Sequence, residues 1–198
     1  LSQVGQSIAA GFTSVMIDGS SLPLDKNIRL TRTVADVCRG LNIPVEGEIG
    51  HVGGSEGGQA KDEIIYTDPD EALRFYQETG ADYIAVSIGT CHGVYRDKPK
   101  LNIPLLRKIA EKVDAPLVLH GSSYTPEDML AEAVGEGISK INVATEISDV
   151  MIKSTIEHVK TLESAKYSNE LTDVPYAKMT EMVRHKIRLF GGSGKAAI

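Results

Sequence analysis

Aromatic residues are scarce in this sequence. Tryptophan is absent from the 198 residues, and the aromatic share is only 5%. Proteins that stack nucleic-acid bases do so on aromatic rings and carry basic surfaces, whereas this chain has a formal net charge of −6. No nucleic-acid partner is therefore expected. Two cysteines, Cys38 and Cys91, are too few for a disulfide framework, which predicts a reducing, cytoplasmic location.

Long apolar runs are missing as well. No stretch approaches the ~18–20 apolar residues of a membrane-spanning helix, so we expect no membrane partner. Residues 1–10 lack the basic start and apolar core of a signal peptide. They are typical of a helix that began earlier in the chain, and the first residue is Leu and not Met. We expect that the N-terminal part of the protein is absent from this sequence.

Short apolar runs are present, rich in β-branched residues and bounded by Gly or Pro, as in buried strands. The five runs span residues 14–18, 44–48, 83–87, 116–120 and 140–144. Apolar residues at steps of three and four predict helices between them. Asp68 and Thr125, each followed by proline, are predicted N-caps. Two late helices are predicted over 146–163 and 176–190, with a loop over 164–175.

Alternating strands and helices indicate parallel βα units, in either an open doubly wound sheet or a barrel. The glycine motif that usually follows the first strand of an open dinucleotide-binding sheet is absent. Polar groups end several strands instead, as in barrels. We therefore predict an α/β fold, a (β/α)8 TIM barrel. Because such a barrel has eight strands in ~250 residues, residues 1–198 are expected to carry about the last five βα units of a single domain.

Two histidines follow neighbouring predicted strands. His92 lies just past the third strand, and His120 ends the fourth. Imidazoles that converge from adjacent strands suit zinc, although histidines that cap loops by hydrogen bonds would show the same spacing. Glu48 ends the second strand and is either a further ligand or a barrel carboxylate paired with a cation. His51 is expected to form hydrogen bonds within its loop.

The glycine-rich segment 50–58 contains one acid, Glu56. It could move into the site as an acid or base when the loop closes, but a flexible surface loop with an exposed acid would look the same.

Two further loops each follow a strand and precede a helix. Backbone N–H groups at helix starts bind phosphate, and barrels often hold phosphate after strands seven and eight. We therefore favour phosphate binding over ordinary capping by Ser and Thr. The first loop is Gly121, Ser122 and Ser123, and the second loop is Asn142, Val143, Ala144 and Thr145.

Five motifs, in this order along the chain, resemble the class II, metal-dependent fructose-bisphosphate/tagatose-bisphosphate aldolases. They are GFTSVMIDGS at 11–20, VEGEIG with GGSE within 45–56, IGTCHGVY at 88–95, LVLHG at 117–121 and KINVATE at 140–146. The closing segment 183–195 is similar to the family's tail. Three positions depart from the usual pattern, and one of them is Ser21, where the family often has a histidine. Ser122 replaces a glycine, and Ala144 stands where fructose-specific members often carry aspartate but tagatose-type members carry alanine.

The resemblance implies a zinc enzyme that reversibly cleaves a ketose bisphosphate, of the fructose- or tagatose-1,6-bisphosphate type. The products are dihydroxyacetone phosphate and glyceraldehyde 3-phosphate, formed through a zinc-stabilised enediolate. It implies zinc ligation by His92 and His120, an acid near the metal in Glu48, and a proton shuttle in Glu56. The implied dihydroxyacetone phosphate site comprises Gly93 and the two loops, Gly121 to Ser123 and Asn142 to Thr145.

The resemblance also implies partners beyond the zinc site. The family's remaining zinc histidine and catalytic aspartate are expected in a strand before residue 1. A monovalent cation alongside zinc and a homodimer or homotetramer are further expectations. Two alternatives stay open: a catalytically inert barrel relative that binds a phosphorylated ligand, and a metal aldolase for another phosphorylated acceptor.

Replacing Glu56 with Gln tests its assigned role. We expect turnover to fall much more than zinc binding, because a proton shuttle acts on substrate and not on the metal. Steady-state cleavage and zinc content of the full-length protein provide the measurement, and an unchanged rate of donor proton exchange would remove Glu56 from the mechanism.

Overall fold

The computed structural model describes residues 1–56, 59–61, 64–93, 99–164 and 167–196, with the backbone alone at 55–56 and 59–61. The helices are α1 (Ser2–Ala9), α2 (Leu24–Arg39), α3 (Pro69–Thr79), α4 (Ile103–Lys112), α5 (Glu127–Gly135), α6 (Thr145–Val159) and α7 (Asn169–Leu189). The strands are β1 (Val15–Ile17), β2 (Val45–Ile49), β3 (Gly53–Glu56), β4 (Gln59–Lys61), β5 (Tyr83–Val86), β6 (Cys91–His92), β7 (Leu117–Leu119) and β8 (Ile138–Ile141).

The main sheet has the order β1-β2-β5-β7-β8, and all of its pairs are parallel. Each strand therefore lies beside the next main-sheet strand along the chain, with a helix in between. The order never reverses, as it would at the switch point of a doubly wound sheet. These are consecutive βα units of the TIM-barrel type, and the predicted fold class is confirmed.

The two faces of β2 explain how the barrel positions polar groups. A Cβ on Gly47 would lie 2.9 Å from the Phe75 ring and from the Thr31 methyl group, so this face of the strand packs against α2 and α3. Because side chains alternate along a strand, Glu46 and Glu48 point to the opposite face, the barrel interior. Both are buried, at 5% and 3% exposure.

An apolar core fills the space between the sheet and the helices. Its members come from both layers and include fully buried side chains of α3, α4 and α5. The largest of them are Phe75, Ile84, Ile88, Leu106, Ile109, Leu117, Leu119 and Leu130. The core therefore anchors the strands whose ends carry the polar groups.

Several predicted boundaries are wrong. The last strand is β8, so Lys140 lies inside a strand and Asn142 to Ala144 form a loop. Helix α7 begins at Asn169 and contains Pro175, which the sequence pattern had placed in a loop. Pro175 is the seventh residue of α7, so it lies past the first turn and removes one N–H that would otherwise bond to the carbonyl four residues earlier. Within the described residues no helix is long and apolar enough to cross a membrane.

The two predicted caps differ. The Asp68 carboxylate accepts hydrogen bonds from the N–H groups of Asp70 and Glu71, as predicted for α3. Helix α5 begins later than expected, with Pro126 as its N-cap and no capping side chain, so Thr125 does not repeat the arrangement.

The glycine-rich segment is not simply a loop. Its described part contains β3, which pairs with β4 in antiparallel and with β6 in parallel orientation. Residues 57, 58, 62 and 63 lie outside the described residues. This small second sheet joins the glycine-rich segment to the strand that carries His92.

Replacing Asp68 with Ala should lower the free energy of unfolding by about 1 kcal/mol, because two N–H groups of α3 lose their acceptor. Asp68→Asn keeps a capping oxygen and is the matched control. Urea unfolding of both variants checks this, and an unchanged midpoint for Asp68→Ala would contradict it.

Candidate active site

A cavity of about 550 Å³ opens at the carboxyl ends of the main-sheet strands. Side chains and backbone from four of those strand ends, and from the end of β6, line it. The lining residues are Met16, Asp18, Glu48, His92, Gly93, His120, Gly121, Ser123, Ile141, Asn142, Val143, Ala144 and Thr145. Most of the residues singled out in the sequence therefore meet in one place, on the side where barrel enzymes place their chemistry.

His120 is held from behind by a buried carboxylate. Its Nε2 lies 2.7 Å from Oε1 of Glu46, and the other oxygen of Glu46 lies 2.8 Å from Nζ of Lys140. Burial alone would raise the pKa of Glu46, but the hydrogen bonds from His120 and Lys140 lower it. Glu46 is thus an ionised acceptor, so Nε2 of His120 carries the hydrogen and Nδ1 is left to face the cavity.

Glu48 lies on the cavity side of the same imidazole. Its Oε2 is 3.4 Å from Nδ1 of His120. Burial and the charge of Asp18 raise the pKa of Glu48 to about 7, against the opposing effects of His120 and Ser20. Burial lowers the pKa of His120, but its hydrogen bond to Glu46 and the charges of both glutamates raise it overall. Carboxyl groups thus crowd one imidazole here, and a bound cation would favour their ionised forms.

His92 approaches His120 edge-on, with the ring centroids 6.0 Å apart and the planes at 73°. Two glycines allow this approach. A Cβ on Gly121, at φ +64°, would lie 2.5 Å from the carbonyl oxygen of Cys91. A Cβ on Gly54, at φ +97°, would lie 2.1 Å from the carbonyl oxygen of His92. The backbone that carries His92 is therefore packed closely between β3 and the first loop.

The donor set fits a divalent metal ion. His120 offers Nδ1 while its other ring nitrogen is held by a carboxylate, the arrangement that orients histidine ligands in metal sites. His92 and Glu48 line the same cavity and supply the imidazole and carboxylate groups that zinc accepts. In the described part of the chain, no three His, Cys, Asp or Glu side chains form a ready-made metal cluster. Ligation by His92, His120 and Glu48 stays a prediction.

The two loops lie side by side at the cavity. The N–H of Ser122 donates to the carbonyl of Asn142 over 3.4 Å, and the N–H of Glu146 donates to Oγ of Ser123 over 3.2 Å. Gly121 and Ser123 line the cavity, as do all four residues of the second loop, and Ala144 is the N-cap of α6. The second loop thus opens directly into a helix start.

Two details of the phosphate prediction need correction. Ser122 is not among the lining residues, is fully buried, and bonds through Oγ to the carbonyl of Leu119, so both its polar groups face the protein. The first loop also does not open a helix, because α5 begins only at Glu127.

His51 forms loop hydrogen bonds as expected, since it pairs with Ile65 and its Nδ1 lies 3.1 Å from Oγ of Ser20. Glu56 ends β3, but its side chain lies outside the described part of the structure.

Sequence reasoning missed Glu46 and the partner role of Lys140. The signal was available, because Glu46 lies two residues before Glu48 in a strand and so shares its face.

Comparisons with known proteins agree with this geometry. The family model for class-II fructose-bisphosphate aldolases matches residues 1–195. The YdjI aldolase from Escherichia coli K12 is 31% identical, with a TM-score of 0.82 over 100% of this chain and 67% of that one. A candidate fructose-1,6-biphosphate aldolase from Coccidioides immitis is 27% identical, with a TM-score of 0.83 over 96% of this chain and 66% of that one.

The fructose-bisphosphate aldolase from Campylobacter jejuni, at 22% identity and a TM-score of 0.73 over 94% of this chain and 63% of that one, shares the fold. The chain thus spans about two thirds of the length of these structures. The fold and the cavity at its strand ends are those of a barrel enzyme, and the chain belongs to the class-II fructose-bisphosphate aldolase family.

The metal-free protein should lose stability as the pH rises. Glu48 keeps its proton in the folded protein up to about pH 7, whereas the unfolded chain releases it near 4.5. The folded state thus binds more protons in this window, so the free energy of unfolding falls with rising pH, by on the order of 1–3 kcal/mol. The raised pKa of His120 adds to the loss above pH 6.5.

Urea unfolding after chelation, at intervals between pH 5 and 8, measures this effect. Glu48→Gln cannot titrate and should show a flatter profile. A wild-type profile that does not fall, or an equally steep one in Glu48→Gln, would show that Glu48 is not protonated as described.

Proposed function

We propose that the protein is a metal-dependent aldolase that reversibly cleaves a ketose bisphosphate into dihydroxyacetone phosphate and glyceraldehyde 3-phosphate. The supporting observation is His120, whose Nε2 is bound to Glu46 at 2.7 Å while its Nδ1 faces Glu48 in a cavity next to two backbone loops. Family membership supports the reaction class. In this proposal, His120 and Glu48 mark the position of the metal cation, and the two loops mark the position of the substrate phosphate.

His120, His92 and Glu48 would hold the metal, which in our proposal is zinc. When bound, a divalent cation supplies Lewis-acid polarisation of a substrate carbonyl. Glu46 and Lys140 keep His120 in the required tautomer and orientation throughout the reaction. Glu56, at the end of β3, is proposed to carry the proton that leaves and returns at the donor carbon.

The loops would anchor the donor phosphate. In the second loop, backbone N–H groups lead into the start of α6, and the partial positive charge there favours an anion. Ser123 adds a hydroxyl from the first loop. Fixing the phosphate places the reacting carbons over the cation position, which lowers the entropic part of the barrier.

Two variants of the full-length protein test the phosphate assignment. Ser123→Ala should weaken binding of the phosphorylated ketose by about 1–2 kcal/mol, the size of one lost hydrogen bond to a charged group. Ala144→Leu should raise KM sharply, because a long side chain would enter the space proposed for the phosphate. Steady-state cleavage of fructose and tagatose bisphosphates, with zinc quantified, measures both.

The control is Ser14→Ala, an exposed serine at the opposite end of β1, which should leave KM unchanged. Wild-type KM values in both Ser123→Ala and Ala144→Leu would place the phosphate elsewhere. Cleavage that survives complete metal removal would contradict the proposed reaction.

A further inference from the structure

A lysine of the C-terminal helix reaches the helices that follow the two loops. Lys186 of α7 is 7% exposed, although lysine is rarely buried without a partner. Its Nζ lies 3.1 Å from Oε1 of Glu146 and 3.6 Å from Oε1 of Glu127. Glu127 is the first residue of α5, and Glu146 is the second residue of α6. Lys186 thus connects α7 to both helix starts.

Glu146 lies directly behind the proposed phosphate loops. Its N–H donates to Oγ of Ser123, and its Oε2 accepts from the N–H of Tyr124 over 3.4 Å. Tyr124 has a left-handed backbone, at φ +63°, and its hydroxyl is bonded to Asp149 of α6. Thr145, which directly precedes Glu146, lines the cavity. Glu146 is therefore bonded to the first loop and directly follows the second, the two loops proposed to hold the phosphate.

Such a carboxylate would work against phosphate binding if it were unpaired. An acid in the first turn of a helix is stabilised by the same positive end that a bound phosphate would use. The side chain of Glu146 is only 21% exposed, so water screens its charge poorly. Glu127 is half exposed and is paired with His185 at 2.7 Å as well, so its charge is less dependent on Lys186.

We propose that Lys186 is a positioning residue for the phosphate site: it neutralises Glu146 and thereby leaves the start of α6 available to the substrate phosphate. This inference rests on the proposed function, since it takes the two loops as the phosphate site. Lys186 does not line the cavity and acts only through Glu146. The family tail that contains it is thus linked to donor binding.

Lys186→Met is the main test, because it keeps an unbranched apolar side chain and removes the charge. In the full-length protein we expect the Kd for inorganic phosphate, by isothermal titration calorimetry, to rise about tenfold. KM for the ketose bisphosphate should rise by a similar factor, with kcat and zinc content nearly unchanged. The double variant Lys186→Met/Glu146→Gln removes both charges and should restore phosphate affinity.

Lys178→Met is the matched control. Lys178 also joins α7 to α6, through Glu157 at 3.0 Å, but this pair is exposed and neither residue lines the cavity. Its loss should leave phosphate affinity unchanged. The proposal is overturned if Lys186→Met binds phosphate like wild type, or if the double variant folds and still binds weakly, since Lys186 would then act through packing. A wild-type protein that binds no phosphate would instead refute the proposed function itself.

Discussion

The site depends on one buried carboxylate with two partners. Glu46 is 5% exposed and accepts from His120 at 2.7 Å and from Lys140 at 2.8 Å. Lys140 offsets the charge of Glu46, whose side chain shares a strand face with that of Glu48. Glu46 in turn holds Nε2 of the imidazole. Breaking such a buried pair leaves an uncompensated charge, which is strongly destabilising. The contacts that join β2 to β8 and to the end of β7 across the barrel interior therefore also aim Nδ1 of His120 at Glu48.

Close backbone contact is the second constraint. The backbone of β6, which carries His92, lies directly against Gly54 of β3 and against Gly121, which follows His120. A Cβ at either glycine would overlap that backbone. The small sheet that includes β3 and β6 converts the glycine-rich segment from a simple connection into a support for His92. The site thus depends on backbone packing as much as on ligand chemistry.

Much of this could be predicted from sequence because its signals are local. Apolar runs and helical spacing identified the five parallel strands, and polar residues at several strand ends predicted a barrel with its chemistry at that end. The pairing of β3 with β6 could not be predicted, because it joins short segments that lack a hydrophobic pattern. The same is true of the contact between Lys186 and Glu146, 40 positions apart, which depends on how α7 lies against α6. Ser122 was wrongly predicted to face the phosphate, because the sequence of a loop does not show in which direction each N–H group points.

The central claim is that Glu46 presents His120 to a metal ion, and a zinc titration tests it most directly. After chelation, the full-length protein should bind one zinc ion, and His120→Ala should bind none at this site. Glu46→Gln keeps the shape but loses the charge, and should bind zinc about 10–100-fold more weakly, as expected for loss of a carboxylate behind a ligating histidine. Zinc affinity in Glu46→Gln equal to that of the wild type, or zinc retained by His120→Ala, would contradict the account.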